Sequence, residues 1–572
     1  MPSVTIDGKV YEYPGQQKLL QFLLDIGMEL PHFCYHPALS IPANCRQCLV
    51  EIGSPVRDRE TGELKRDEQG NPVIQFLPKL MTSCSVDITD GMVVKTHRSS
   101  ELIERAQKDN LEFLLINHPL DCPICDQAGH CPLQIQTYKY GPEGSRFEFR
   151  KVHKPKKVTL GPRVMLDAER CINCTRCTRF TDEVSRSHQL TITNRGVQNY
   201  PITPPGQTFD EPYSMNVIDI CPVGALTSID WRFRARIWEM SSSPSITVTN
   251  AKGSNCEYWV RDNLVLRITP RQNLLVNDYW LPDEDRLVYP MFNENRPAGP
   301  TVNGRAVDWE AAFDRAASIL KDVDGSRALF IGSAYSTVED NYLLKKLADH
   351  LGAAAPVYIP HVEPGTGDGW LITDDKTPNA QGCARLGIEP VDEAVVTSRL
   401  RAGEYSAVYV LEDDPVASGV FTADDLRDIP VILHHYHTTN QTLPVADVAL
   451  PAAMVVETVG TYVNEDGHAQ RVRPAKEIRG VNRTLVMEMG KSRQDSHGTP
   501  FDRWHNEENR VNCLPSWELL PAVAGRLGHS MTYKGPRQIM QEVTETNEAF
   551  RGATYEAMGL QGVRLAEVGA TV

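Results

Sequence analysis

The sequence predicts a multidomain protein of mixed α+β and α/β architecture, and three observations support this. The chain has 572 residues, too many for one hydrophobic core, so three or four domains are expected. Eleven of its fourteen cysteines fall within the first 221 residues, in groups of four, three and four. Beyond about residue 243 cysteines become sparse, and short apolar runs alternate with helix-like segments, as in a parallel α/β sheet.

Net charge and the pattern of apolar residues argue against a nucleic-acid-binding, a secreted or a membrane-spanning protein. The net charge of −15 argues against a nucleic-acid partner. The N-terminus alternates like a strand and lacks the apolar core of a signal peptide, and no apolar run approaches the roughly 18 residues of a membrane span. We therefore expect a cytosolic protein that reaches a membrane only through partners, with cysteines that bind metal rather than form disulfides.

Residues 1–97 are predicted to form a small β-grasp domain. Two alternating runs around Asp7-Gly8 predict a β-hairpin. The other predicted elements are a helix over Lys18–Ile26, a strand over Cys48–Ile52, a solvated excursion over residues 53–72 and a closing strand over Met92–Thr96.

Residues 98–150 and 151–242 are predicted to form two further domains. An amphipathic helix over Glu101–Asn117 leads the chain to His118. A basic run at Lys151–Lys157 has two interpretations, a docking edge for a partner or a solvated connector. The connector is favoured because basic runs are usually just solvated.

Residues 243–572 are predicted to form an α/β domain. Buried runs predict parallel strands joined by crossover helices. The predicted strands are Ala328–Gly332, Ala407–Leu411 and Val431–Leu433, and the predicted helices are Val338–Leu351 and Trp517–Leu527.

The first cysteine set has the spacing C-x10-C-x2-C-x35-C and comprises Cys34, Cys45, Cys48 and Cys84. Three thiolates on one long loop with a fourth from elsewhere are typical of ferredoxin folds that hold a [2Fe–2S] cluster. A structural zinc site is the alternative, since four cysteines also bind zinc.

The third set has the spacing C-x2-C-x2-C-x43-C and comprises Cys171, Cys174, Cys177 and Cys221, the last followed by proline. Three thiolates on a tight loop with a remote Cys-Pro predict a [4Fe–4S] cluster. Zinc is less favoured here because tetrahedral zinc rarely takes three thiolates from seven residues.

The middle set is one thiolate short, with the spacing H-x3-C-x2-C-x5-C. It comprises His118, Cys122, Cys125 and Cys131. Imidazole can replace thiolate at iron, so His118 is the favoured fourth ligand of a [4Fe–4S] cluster. His130, water or Cys256 are the alternatives. Cys256, Cys383 and Cys513 have no partner at C-x2-C spacing and are otherwise predicted to be small core or surface residues.

Three closed cluster sites indicate an electron relay rather than a reaction centre. A catalytic cluster needs an open coordination site and nearby acid or base groups. No G-x-G-x-x-G opens a helix after a strand, so no nucleotide site is predicted. Electrons are therefore expected to enter from one partner and leave to another.

The three sets, in this order and spacing, resemble those of the large iron–sulfur subunits (the G subunits) of NADH-quinone oxidoreductase, respiratory complex I. The resemblance implies that the first set holds a [2Fe–2S] cluster and the third a [4Fe–4S] cluster. It also implies that His118 is the fourth ligand of the middle [4Fe–4S] cluster.

The C-terminal half also carries a resemblance, to molybdopterin oxidoreductases. It rests on Asn277–Trp280 with Asp283 and Arg286, and on Ala446–Pro451 followed by Glu457, Gly460-Thr461, Asn464 and Gly467. Within complex I this domain is implied to bind no molybdenum cofactor. Some bacterial members hold a fourth cluster at its start, but only Cys256 stands in that region here, so that cluster is predicted to be absent.

The resemblance implies an electron-transfer role within a proton-translocating complex. Electrons would come from a flavin subunit that oxidises NADH, beside a [2Fe–2S] subunit, and pass through this chain to a quinone-side cluster subunit of the hydrophilic arm. No NADH or quinone site of its own is expected, and the location would be peripheral, on the cytoplasmic side of the inner (plasma) membrane. An NAD-linked formate dehydrogenase subunit is the alternative, and an iron hydrogenase would need more paired cysteines after residue 230.

Overall fold

A computed structural model of the chain describes residues 1–58, 61–479 and 507–566. The chain forms two compact units, Met1–Trp238 and Glu239–Val572. In the described part, none of the helices combines the length and the apolar character that a membrane span requires.

The first unit begins with a mixed sheet that confirms the predicted hairpin and closing strand. Asp7 and Gly8 adopt the positive φ angles, 48° and 82°, of a tight two-residue turn. The first strand pairs antiparallel with the second and parallel with the last, the pairing of a β-grasp fold. The strands are Ser3–Ile6, Lys9–Glu12, Leu49–Pro55, Ile74–Phe76, Met81–Thr82 and Met92–Lys95.

The predicted first helix is present as Leu19–Asp25, and its buried leucines pack on this sheet. The predicted solvated excursion, residues 53–72, is mostly exposed. Two isolated β-bridges within it, Arg57↔Leu64 and Arg66↔Pro72, lie beyond the strand that ends at Pro55. The next helix, Glu101–Leu115, is capped by Ser100 Oγ, which accepts a bond from the Ile103 amide at 3.4 Å.

The remainder of the first unit is built from short elements. Its helices are Pro132–Tyr140, Arg176–Arg179 and Asn216–Ile220, and its strands are Val158–Thr159, Val164–Leu166, Thr191–Thr193, Tyr200–Ile202 and Leu226–Ser228. The strand Val164–Leu166 is the centre of a three-stranded antiparallel sheet.

The favoured interpretation of the basic run, a solvated connector, is wrong for two of its lysines. Lys151 Nζ donates to the carbonyls of Leu115 and Ile116 at 2.9 and 2.8 Å. It therefore caps the C-terminus of the helix Glu101–Leu115. Lys156 Nζ lies within 3.0 Å of three carboxylates, those of Asp121, Asp167 and Glu169. The run therefore fastens the domains of the first unit together.

The second unit is organised around an eight-stranded sheet, and the predicted parallel α/β pattern is confirmed. Six of its strands are parallel, and two short antiparallel strands extend one edge. From that edge the strands are Arg305–Ala306, Thr301–Val302, Val448–Pro451, Val431–His435, Ala407–Val410, Ala328–Gly332, Val357–Tyr358 and Glu389–Pro390.

Helices cover both faces of this sheet, because its strands are apolar on both sides. They are Trp309–Lys321, Val338–His350, Ala380–Arg385, Glu393–Arg401, Ala423–Leu426, Ser516–Arg526, Pro536–Thr546 and Tyr555–Met558, with Asp283–Leu287 before the sheet. Two antiparallel sheets complete the unit, one of Ser241–Ile246, Asn255–Arg261 and Leu264–Pro270, the other of Gly460–Val463, His468–Val472 and Val563–Arg564.

Candidate metal centres

The first cysteine set is brought together by a long loop and a 3₁₀ turn. Cys34, Cys45 and Cys48 lie on the loop between the first helix and the strand Leu49–Pro55, and Cys84 lies in the turn Ser83–Ser85. The turn is held against the loop by Ser83, whose amide and hydroxyl both donate to the Cys48 carbonyl, at 2.9 and 2.8 Å.

The four thiols of this set interact with one another. A hydrogen bond with Cys45 lowers the pKa of Cys34 to about 5, and a hydrogen bond with Cys84 lowers that of Cys48. The pKa values of Cys45 and Cys84 are raised in turn, first by these same bonds and then by burial. Cys34, Cys48 and Cys84 are almost fully buried, so three of the four thiols are shielded from solvent.

The middle set surrounds one cavity. Its lining includes all four predicted residues, His118, Cys122, Cys125 and Cys131, together with Asp121, Ala128, Gln134, Arg170 and Gly224. His118 follows the end of the helix Glu101–Leu115, and Cys131 precedes the helix Pro132–Tyr140. Cys125 and Cys131 are buried, whereas Cys122 is exposed.

Of the three residues considered as the fourth ligand, His118 is the one that lines the cavity. Burial, with Arg170 and Lys151 nearby, lowers the pKa of His118 to about 4, so the imidazole is neutral, the form that binds metal. His118 Nδ1 is buried without a hydrogen-bond partner. His130 is not among the residues that line the cavity, and Cys256 lies in a buried strand of the second unit.

The lining of the middle cavity has room for glycine at position 224 but not for a side chain. A Cβ atom at this position would lie 2.1 Å from Cys125 Sγ and 3.0 Å from Gln127 Cβ. Real Cβ contacts are never as short as the first of these distances, so only glycine leaves room for the Cys125 thiol at its observed position.

The third set surrounds a second, mostly apolar cavity. Cys171, Cys174, Cys177 and Cys221 all line it, with Ile172, Ile192, Pro201, Val223, Ala225 and Leu226 among the apolar residues. Asn173 and Thr175 have positive φ angles of 54° and 61°, which turn the loop so that three successive thiols face inward. Burial raises the pKa of Cys171, Cys174 and Cys221 to about 11.

One short segment separates the two cavities. Val223 and Ala225 line the third-set cavity, whereas Gly224 between them lines the middle cavity. Cys131 Sγ also lies 3.7 Å from the carbonyl oxygen of Pro222, the residue after Cys221. The two sites are therefore neighbours that share a wall of one chain thickness.

The four predicted ligand residues of each cavity are spread around it rather than gathered at one point. Within residues 1–58, 61–479 and 507–566 no three His, Cys, Asp or Glu side chains converge closely enough to hold one metal ion. A [4Fe–4S] cluster instead needs four ligands spread around a cavity, one for each iron. That is the arrangement of the middle and third sets.

The remaining three cysteines are fully buried in the second unit, as predicted for core residues. They are Cys256, Cys383 and Cys513.

The second unit contains a cavity of about 440 Å³ at the carboxyl ends of the parallel strands. Tyr335, His361, Glu412–Asp414 and His435–His437, which follow four neighbouring strands, line it. Chain connections run in opposite directions from Ala328–Gly332, and such a switch point is where open α/β sheets bind ligands. Three successive acidic residues, Glu412, Asp413 and Asp414, belong to its lining together with Lys376.

The predicted site residues do not include Gly224, the buried arginines Arg170 and Arg179, or the half-buried Arg176. Gly224 stands three residues after Cys221, and a glycine so close to a predicted ligand was an available signal. No sequence motif indicates the role of the arginines, because most of their hydrogen-bond partners are distant in sequence.

Family models match most of the chain. They are a 2Fe-2S iron-sulfur cluster binding domain at residues 2–99, the iron-sulfur binding region of NADH-ubiquinone oxidoreductase-G at 107–146, and the ferredoxin-like domain of NADH-quinone oxidoreductase subunit 3 at 161–227. The others are an NDSU1/NuoG-like 4Fe-4S domain at 240–290 and molybdopterin oxidoreductase at 371–486.

Similar proteins carry matching names. The G subunit of NADH-quinone oxidoreductase from Rickettsia felis is 31% identical over 90% of this chain and 73% of its own length. The NADH-ubiquinone oxidoreductase 75 kDa subunit of Reclinomonas americana is 38% identical over 64% of this chain and 50% of its own. NADH-quinone oxidoreductase subunit 3 of Thermus thermophilus is 37% identical over 61% of this chain and 46% of its own.

Proposed function

This chain belongs to the family of NADH-quinone oxidoreductase G subunits, and we propose that its twelve clustered ligands hold the iron–sulfur centres of an electron relay. As a component of complex I it relays electrons that enter from NADH toward quinone, and the complex couples this transfer to proton translocation. The formate dehydrogenase alternative is not favoured, since the relatives are complex I subunits.

The proposed ligand sets give one [2Fe–2S] and two [4Fe–4S] clusters. For the two [4Fe–4S] clusters, the main support is that all four predicted ligand residues of each set line one cavity. For the first set, two hydrogen-bonded thiol pairs, Cys34 with Cys45 and Cys48 with Cys84, support a [2Fe–2S] cluster.

We assign His118 as the histidine ligand of the middle site. Its position in the cavity lining and its buried, unpartnered Nδ1 support the assignment, because a buried imidazole nitrogen without a partner is costly unless something binds it. A neutral ligand leaves the cluster less negative than four thiolates would, which tends to raise its reduction potential.

Each cluster, when bound, supplies a one-electron redox couple. The residues of this chain fix the spacing of the sites and exclude water from them. Apolar side chains such as Ile172, Val223 and Leu226 keep water away from the third site, and the shared wall at Pro222–Gly224 keeps the middle site beside it. Contacts also join the first and third sites.

We propose that the second unit holds neither a molybdopterin nor a fourth cluster. A pterin dinucleotide carries a pyrophosphate. The cavity at the switch point is lined by three acidic residues, Glu412, Asp413 and Asp414, against one lysine, Lys376, so its charge disfavours that group. In the segment matched by the 4Fe-4S model at 240–290, Cys256 is the only cysteine, and one thiolate cannot hold a cubane.

The proposed partners are the NADH- and flavin-binding subunit, the [2Fe–2S] subunit, the quinone-side cluster subunit and other hydrophilic-arm subunits. The proposed location is the cytoplasmic side of the membrane, as a peripheral component of the complex.

The relay role predicts how the isolated chain responds to reductants. Dithionite should bleach its visible absorbance, because it reduces clusters directly. NADH alone should leave the absorbance unchanged, and NADH should bleach it once the flavin subunit is added. Rapid bleaching by NADH without that subunit would contradict a pure relay, and a colourless, zinc-loaded chain would contradict the cluster assignment.

A further inference from the structure

Two arginines of the helix Arg176–Arg179 connect the first and third sites. Arg179 Nη2 donates to the carbonyl of Cys34 at 2.6 Å and to that of Cys174 at 3.3 Å. Cys34 belongs to the proposed [2Fe–2S] site and Cys174 to the proposed third site. A single nitrogen atom therefore bonds a ligand residue of each.

Arg176 also donates to one carbonyl near each site, but these carbonyls belong to residues next to the ligands rather than to the ligands themselves. Its Nη1 donates to the carbonyl of Ile220 at 3.0 Å, and its Nη2 donates to the carbonyl of Tyr35. Ile220 precedes Cys221, and Tyr35 follows Cys34. Each guanidinium group thus bonds the loop of Cys34 and a ligand-bearing segment of the third site.

The same two sites are joined by two further contacts. Glu183 accepts hydrogen bonds from the amide of Ser40, at 2.8 Å, and from its hydroxyl. Asn44 Nδ2 donates to the carbonyl of Asn173 at 3.2 Å. The separation of the two sites is therefore fixed by several independent bonds rather than by one.

The arginines carry positive charge into a region that is poor in carboxylates. Arg179 is only 9% exposed, and neither arginine forms an ion pair with a carboxylate of the described residues. Burying a cation without a carboxylate partner is unfavourable. The side chains that act electrostatically on both arginines are mainly cysteines, including Cys34 and Cys174, with Glu183 also acting on Arg179.

We propose that Arg176 and Arg179 are positioning residues that couple the [2Fe–2S] site to the third site. They hold the two loops at one separation, give a hydrogen-bonded path between them, and stabilise the extra electron on either cluster through their charge. This inference rests on the proposed ligand sets, and it adds a role for residues that bind no iron.

The test is a redox titration followed by electron paramagnetic resonance on the purified complex carrying R176Q or R179Q. Loss of a nearby positive charge disfavours reduction, so the potentials of the first and third clusters should fall. We expect the one-electron equilibrium constant to change tenfold or more, which is about 59 mV. The middle cluster, identified by the loss of its signal in C125A, should keep its potential.

Two further variants make the test specific. Arg236 Nη1 donates to the Cys125 carbonyl at 2.7 Å, so R236Q should move the middle potential and leave the other two. R179K keeps the positive charge but loses the planar guanidinium group that bonds the carbonyls of both sites. It should therefore lower the potentials of the first and third clusters, but by less than R179Q does. It also carries the test if R179Q does not assemble.

Two results would overturn the inference. One is unchanged first and third potentials in R179Q, or in R179K where R179Q does not assemble. The other is an equal shift of all three. Absence of the three cluster signals from the unsubstituted complex would instead overturn the proposed ligand sets.

Discussion

Gly224→Ala is expected to abolish the middle cluster while the first and third clusters persist. The added methyl would lie 2.1 Å from Cys125 Sγ, so the thiol must leave its place in the cavity. Because Cys125 is one of four proposed ligands, the middle site should lose its cubane. Iron content should fall by about four atoms per chain, and the corresponding paramagnetic resonance signal of the NADH-reduced complex should vanish.

Gly144→Ala is the matched control. It makes the same chemical change in the same unit, but a Cβ there meets no atom within 4 Å. It should leave all three signals intact. A Gly224→Ala complex with full iron content and an unchanged middle signal would show that the Cys125 thiol can move without cost, and would contradict the cavity as the cluster site.

His118→Ala is expected to remove the same signal and to stop electron flow to quinone. Alanine offers no ligand atom, and the other residues lining the cavity supply three thiolates for four irons. His118→Cys should restore a cubane with a lower potential, because a thiolate adds negative charge where the imidazole was neutral. Paramagnetic resonance and NADH-quinone reductase activity measure the two effects.

His130→Ala separates this assignment from its main competitor. His130 is adjacent to the ligand Cys131 in sequence but is not part of the cavity lining. The variant should therefore keep the middle signal at its original potential. Loss of the signal in His130→Ala together with its retention in His118→Ala would transfer the ligand role to His130.

Local signals made much of the fold predictable. Asp7-Gly8 permits the positive φ angles that a two-residue hairpin needs, and the apolar run Ala328–Gly332 forms a strand with the predicted bounds. Cysteine spacing likewise indicated which residues come together in the middle and third sets, because three cysteines of each lie on one short stretch of chain.

Long-range contacts set the limit of such prediction. Lys156 resembles a solvated lysine until folding brings Asp121, 35 residues away, to its ammonium group. Arg179 and its partner Cys34 are 145 residues apart, and neither has a motif that announces the pairing. The shape of the middle cavity around Gly224 depends on three separate segments, so its fit could only be seen in three dimensions.

We propose that the twelve ligand residues hold three clusters and that the chain binds neither zinc nor molybdenum. Metal and acid-labile sulfide analysis of the purified chain tests it most directly. The proposed ligand sets predict about ten irons and about ten sulfides per chain, as 2 + 4 + 4, with neither zinc nor molybdenum in stoichiometric amount. One zinc or one molybdenum per chain, or about fourteen irons, would contradict it.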